Sequence, residues 1–321
     1  MGEKMTSNTA HYSVMRNRCV ELLAPAILAT KNPVVVDATL GLGGHTEALL
    51  QAFPHLTVIG IDRDQSAIDR ATNRLSPYAD RLKTAHYTFD RIGDVVQSFG
   101  YQEITGALFD LGVSSMQLDE SDRGFSYSHE APLDMRMDAS QGLTAAEIVN
   151  TYEPGQLVRI LRTYGEEKFA TRIVESIVKA RNKAPLNSTT ELAALVKEAI
   201  PAATRRTGGN PAKRTFQALR IETNDELGAV SRALPIAMQL LSVGARIVVM
   251  SFQSLEDRIV KELFVASTTS GTPRNLPFEL PEFAAKFSLV VKGSETPTEE
   301  ELIENSRSAS VRLRAVEKVA A

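Results

Sequence analysis

The sequence predicts an α/β fold: a doubly wound, Rossmann-like parallel sheet carrying an inserted helical domain. Three observations predict it. Apolar, β-branched runs alternate with helical patterns from 34 to 110. The first run opens into a glycine-rich turn and the second closes on a carboxylate, one βαβ unit apart. The alternation then stops near 115, and helical patterns fill the chain until about 242.

Element by element, Val34, Val35 and Val36 open a strand over 34–38, and a helix runs to about 53. Strands over 57–62, 82–86 and 105–110 follow, separated by helices over 64–75 and 90–98. Beyond 115, Thr144-Ala-Ala-Glu147 and Ser188-Thr-Thr-Glu191 read as capping boxes, each satisfying the orphan amides of a helix start. Phe169, Ile173, Ile177 and Val178 mark one face of a helix over 166–182. Arg246-Ile-Val-Val-Met-Ser-Phe252 resumes the strand pattern, a helix starts near Ser254, and 287–291 and 310–316 are late strands. Residues 1–115 and 215–321 therefore form the sheet domain and 116–214 the insertion, expected to cap the carboxyl edge of the sheet where ligands bind.

Composition narrows the class. A single cysteine, Cys19, excludes a disulfide framework and a multi-cysteine zinc site, and fits a reducing, cytoplasmic setting. No run reaches the roughly 20 apolar residues of a membrane span, and no signal-peptide core opens the sequence. The net charge of −3 argues against a general nucleic-acid coating protein, so any nucleic-acid contact must use local basic patches. No G-x-S-x-G elbow supports a hydrolytic triad.

The turn Gly41-Leu-Gly-Gly44 predicts a nucleotide-cofactor site. Glycines let the backbone approach a ligand, the following helix offers unpaired amides, and Asp62 can accept both hydroxyls of a ribose. The dinucleotide fingerprint is incomplete, because its sixth position is Thr46. S-adenosylmethionine (SAM) also carries a ribose but lacks a pyrophosphate, and Asp37 offers a carboxylate for its sulfonium. By itself the turn leaves NAD and SAM both open. Asp110 closes the strand at 105–110 beside that turn, where a carboxylate can orient a cofactor or take a proton from an amine, and Ser114, Ser115 and Gln117 follow on the same loop. Arg123, Phe125, Tyr127 and Arg136 crowd the next segment. They suit a surface that stacks on a base and holds phosphates, or an ion-paired loop with Met135 and Met137 plugged into a core.

Seven blocks bring a resemblance. Asp37-Ala-Thr-Leu-Gly-Leu-Gly-Gly-His45, Asp110-Leu-Gly-Val-Ser-Ser-Met-Gln-Leu-Asp119, Arg123-Gly-Phe-Ser126, Pro132-Leu-Asp-Met-Arg-Met-Asp138, Tyr164-Gly-Glu-Glu-Lys-Phe169, Thr215-Phe-Gln-Ala-Leu-Arg-Ile221 and Ser254-Leu-Glu-Asp-Arg258 together resemble the bacterial ribosomal RNA small subunit methyltransferase H (MraW) family, over about 11–314. The resemblance implies a class I SAM-dependent methyltransferase acting on the exocyclic N4 of a cytidine in the decoding region of 16S ribosomal RNA. It implies SAM contacts at Gly43, Gly44, His45, Asp62, Phe89, Asp110 and Gln117. With it, Asp110, Ser114 and Ser115 are the expected catalytic residues and Arg123, Phe125 and Arg136 the expected substrate contacts. No metal is required. The implied partner is small-subunit ribosomal RNA or the 30S particle, with no membrane, and a homodimer is compatible. The sequence departs from the family pattern at Gln253, where histidine is usual, and at Ser306, where proline is usual.

Overall fold

Alternate residues of a strand point to opposite faces, so a sheet covered on both sides needs strands that are apolar at every position. The central strands meet that demand. Val34 and Val36, Ala107 and Phe109, and Ile247 and Val249 enter the core on one face, while Val35, Leu108, Val248 and Met250 enter the core on the other. The computed structural model describes residues 13–113, 120–202, 210–273 and 280–321. Among them, seven strands form one sheet: β1 (Val34–Asp37), β2 (Thr57–Asp62), β3 (Leu82–His86), β4 (Ile104–Asp110), β5 (Leu241–Ser251), β6 (Phe287–Leu289) and β7 (Arg312–Lys318). Their spatial order is β3-β2-β1-β4-β5-β7-β6.

The parallel winding expected from the sequence runs through β5. There it ends, because β7 enters antiparallel to both β5 and β6. This departs from the 3-2-1-4-5-6 order of dinucleotide-binding sheets. One face is covered by α1 (Arg16–Ala29), through Cys19, Leu22, Leu23 and Ile27, and by α2 (Gly44–Ala52), through Leu49 and Leu50. A third helix, α3 (Gln65–Arg74), starts at Asp64, whose carboxylate accepts from the Ser66 amide. The other face is covered by α4 (Ile92–Ser98), through Ile92, Val95 and Val96, and by later helices described below.

The chain divides into two compact units, Met1–Gly112 with Val230–Ala321, and Val113–Ala229. The second is helical: α5 (Ala145–Thr151), α6 (Pro154–Thr163), α7 (Ala170–Arg181), α8 (Thr189–Ala199) and α9 (Lys213–Asn224). Its core includes Ile148, Leu157, Ile160, Ile173, Ile177, Leu192, Val196, Phe216 and Leu219. The boundary expected at 214 falls inside α9, and this unit runs on to Ala229 because Phe216, Ala218 and Leu219 of that helix are buried in its core. Thr144 and Ser188 both cap their helices, accepting from the Glu147 and Glu191 amides; the box closes at Thr144, whose amide donates to Glu147, whereas the Glu191 carboxylate accepts from the Asn187 amide instead.

The unit boundary falls within α10 (Glu226–Leu240); from Val230 on, this helix contributes Val230, Leu234 and Met238 to the core of the sheet unit, and α11 (Ser254–Thr268) contributes Val260 and Phe264. Among the described residues, no helix is long and apolar enough to cross a membrane.

Candidate cofactor and proton-transfer site

The glycine turn leaves the end of β1 and enters α2. Gly41 and Gly43 take φ of +52° and +77°, the left-handed region that side chains disfavour. Gly43 is further fixed by crowding, since a Cβ there would lie 2.8 Å from Leu75 Cδ1. The turn is tied to the neighbouring strand: Asp62, closing β2, accepts from the Gly41 amide at 2.7 Å and from the Asp64 amide at 2.9 Å. Each carboxylate oxygen keeps a further lone pair, which is what a ribose diol needs. Burial pushes the Asp62 carboxyl up to about 6, against the pull of those two amides.

Thr46 explains itself in three dimensions. Its hydroxyl donates to Asp37 at 2.7 Å, and both side chains are buried. The other Asp37 oxygen accepts from the Thr39 amide. Asp37 is therefore 1% exposed and holds the turn together, rather than presenting a carboxylate to a sulfonium as the sequence suggests. Burial raises its carboxyl, while His45 and the Thr46 hydroxyl pull it back.

Asp110 stands at the carboxyl end of β4, next to β1 in the sheet, and its amide donates to the Thr39 hydroxyl at 2.7 Å. Its Oδ2 lies 3.5 Å from His45 Nε2. Asp110 Oδ1 and both ring nitrogens of His45 are buried and have no hydrogen-bond partner among the described residues. Phe89, in a short 3-10 turn after β3, packs edge-on against Phe109 with ring centroids 5.9 Å apart. Its neighbour Asp90 is held by Arg232 at 2.8 Å.

Thus Gly43, Gly44, His45, Asp62 and Asp110 lie on the turn and on adjacent strand ends of one unit, with Phe89 after β3 of the same sheet. Ser114, Ser115 and Gln117 lie outside the described residues. Sequence reasoning misses the pairing of His45 with Asp110; the order β1-β4 is the available signal, since it brings the two turns side by side.

Arg123, Phe125 and Arg136 belong to the helical unit and serve its interior. Phe125 is buried in the helical core, so its ring is not presented to a base. Arg123 donates to the carbonyls of Arg136 and Met137, its guanidinium 5.8 Å from the Phe125 ring centroid. Arg136 grips Asp134 through Nε and Nη2, both at 2.8 Å. Burial raises the Asp134 carboxyl, but the Arg136 contacts outweigh it and the net shift is downward. Met135 and Met137 are buried in the same core. The expected base-stacking surface is thus an ion-paired, core-plugging loop instead, because the forks and the ring are spent within the unit.

Gln253 is the N-cap residue of α11, and Glu256 accepts from the amides of Phe252 and Gln253 at 2.9 and 3.1 Å. Among the described residues, no group of histidine, cysteine or acidic side chains could hold a metal ion.

The model of the MraW methylase family matches residues 8–319. The chain is 51% identical over 313 residues to the ribosomal RNA small subunit methyltransferase H of Streptomyces avermitilis, covering 98% of each protein. It is 55% identical over 313 residues to the protein of that name from Mycolicibacterium smegmatis, covering 96% of this chain and 84% of that one. Among solved structures, an rRNA methylase from Streptococcus thermophilus aligns over 97% of this chain and 99% of its own, with a TM-score of 0.43 and 12% identity.

Proposed function

We propose, from the premise that this chain belongs to the MraW methylase family, that it is a class I SAM-dependent methyltransferase of small-subunit ribosomal RNA. Its acceptor, in this reading, is the exocyclic N4 of a cytidine in the decoding region of 16S RNA. The relatives named above carry ribosomal RNA small subunit methyltransferase in their names. The observation that carries the chemistry is the strand-end set: Asp62 beside the glycine turn, and Asp110 at the end of β4 with a buried oxygen that has no partner among the described residues.

The residues fit SAM. Asp62 offers two acceptors to a ribose diol, and among the described residues a Cβ at Gly41 would meet only the Thr39 carbonyl, at 3.8 Å. Thr46 at the sixth fingerprint position is committed to Asp37, so it does not supply the close helix packing of a pyrophosphate turn. When bound, SAM supplies an electrophilic methyl group on a positively charged sulfur.

A cytosine N4 is a poor nucleophile, because its lone pair is delocalised into the ring. The protein must align that nitrogen and accept a proton from it. Asp110 is the group that accepts the proton, since Oδ1 takes an N–H hydrogen bond and draws electron density onto nitrogen. Positioning supplies much of the remaining acceleration. Ser114 and Ser115 complete the proposed polar edge and Gln117 the proposed cofactor contacts.

Asp110→Asn tests the assignment. It keeps the size of the side chain but removes the charge, and is expected to lower methyl transfer by about 10²–10⁴-fold. Unchanged turnover on small subunits would remove Asp110 from the chemistry. Calorimetry with SAM and with NAD separates the cofactors, and tight NAD binding without SAM binding would overturn the reading.

A further inference from the structure

His45 is buried at the start of α2, yet neither ring nitrogen has a hydrogen-bond partner among the described residues. A buried imidazole left unpaired is destabilising, so such a residue needs a reason. Its near neighbour supplies one. Nε2 faces Asp110 Oδ2 at 3.5 Å, slightly beyond hydrogen-bond range, while Asp110 Oδ1 is itself buried and, among the described residues, unpartnered. The backbone on both sides is fixed: the Asp110 amide donates to Thr39, and the helix that carries His45 is anchored by Thr46 on Asp37. Catalytic hydrogen bonds are often long without ligand and tighten in the reacting complex.

We propose that His45 is a positioning residue that acts through Asp110: its Nε2–H holds Oδ2, so that Oδ1 is aimed as the acceptor for the amine being methylated. This rests on the methyltransferase reading above and assigns the side chain a role distinct from contacting the cofactor. The arrangement follows the logic of a carboxylate and an imidazole that orient each other, with the carboxylate as the member that meets the substrate. As the new carbon–nitrogen bond forms from the nitrogen lone pair, the carbon–sulfur pair returns to sulfur. One N–H proton then leaves to Asp110 and on to water, which balances the loss of the sulfonium charge. Among the described residues, the acids that face the imidazole are Asp37 from β1 and Asp110 from β4. Cys19 from α1, within electrostatic reach of both acids, stays a neutral thiol because burial raises it.

Three readouts test the coupling in the full-length protein. In the cofactor-free protein, the ring nitrogen NMR shifts of His45 should report an Nε2–H tautomer and should change in Asp110→Asn, which replaces the facing carboxylate oxygen. His45→Asn and His45→Gln should each lower kcat on small subunits by about 10–100-fold, with the affinity for S-adenosylhomocysteine kept within about threefold. The double variant His45→Asn, Asp110→Asn should be no slower than Asp110→Asn alone, within about threefold, because residues acting as one unit are not additive. Affinity lost in step with rate in both folded variants, additive losses, or His45 ring shifts indifferent to Asp110 would each overturn the proposal. Thermal unfolding of the two His45 variants identifies a folding defect, and the ring shifts of the wild-type and Asp110→Asn proteins then decide. If the wild-type enzyme labels a different base, the cytidine reading fails while the coupling result stands.

Discussion

Thr46 occupies the place where a dinucleotide turn has its third glycine, and its hydroxyl satisfies a carboxylate with almost no access to water. Thr46→Val should therefore leave Asp37 short of a donor and lower stability by about 1–3 kcal/mol in denaturant unfolding. A second prediction follows from Asp62. Burial raises its carboxyl to about 6, and only the ionised form accepts from both hydroxyls of a ribose without competing as a donor. SAM affinity should then fall as pH is lowered from about 7.5 to about 5.5, while Asp62→Asn should bind weakly at both values; calorimetry checks this, and a flat wild-type profile would contradict it. The strand-end acids are legible in the sequence, because a carboxylate closing an apolar run can only sit at the edge of the sheet. The inward turn of Asp37 is not legible, since it depends on a hydroxyl nine residues away.

Whole elements explain why the blocks of the family resemblance reach far beyond the cofactor turn. Gly124, with φ of +74°, would place a Cβ 2.3 Å from the Pro132 carbonyl, and Asn224 on α9 bridges the Met135 carbonyl and the Met137 amide, both at 2.8 Å. Gly165 lets the turn after α6 meet α9, where a Cβ would lie 2.6 Å from the Arg214 carbonyl. Asp257 of α11 pairs with Arg314 of β7 at 2.8 Å, joining the Ser254 block to the last strand. Gly124→Ala should cost about 1–3 kcal/mol from backbone strain, with the overlap added, and expose the helical unit to protease at lower denaturant. The dense charges of 123–138 fit a binding surface and internal pairs alike when read from the sequence, because charge density alone cannot tell where a guanidinium points. Nor do α1 and α10 stand out in the sequence, since they carry Pro25 and Pro235 inside them where proline ordinarily marks a break.

Taken as a whole molecule, the chain pairs a sheet unit with a helical unit, and strand order β3-β2-β1-β4-β5-β7-β6 with an antiparallel β7 separates it from dinucleotide dehydrogenases. The alternation of strands and helices makes the sheet and its interruption legible; the direction of β7 is not, because a short apolar strand reads the same both ways. A net charge of −3 gives little non-specific hold on free RNA. We therefore expect assembled small subunits to be methylated faster than protein-free RNA, with a shallow salt dependence of binding; equal rates at all salt concentrations would argue against a shaped substrate. The decisive experiment incubates the enzyme and labelled SAM with small subunits from cells lacking this methyltransferase and maps the product by mass spectrometry. The expected product is 16S RNA labelled on the exocyclic nitrogen of a single decoding-region cytidine. Label on a ring carbon, on a ribose hydroxyl, or in no RNA at all would contradict it.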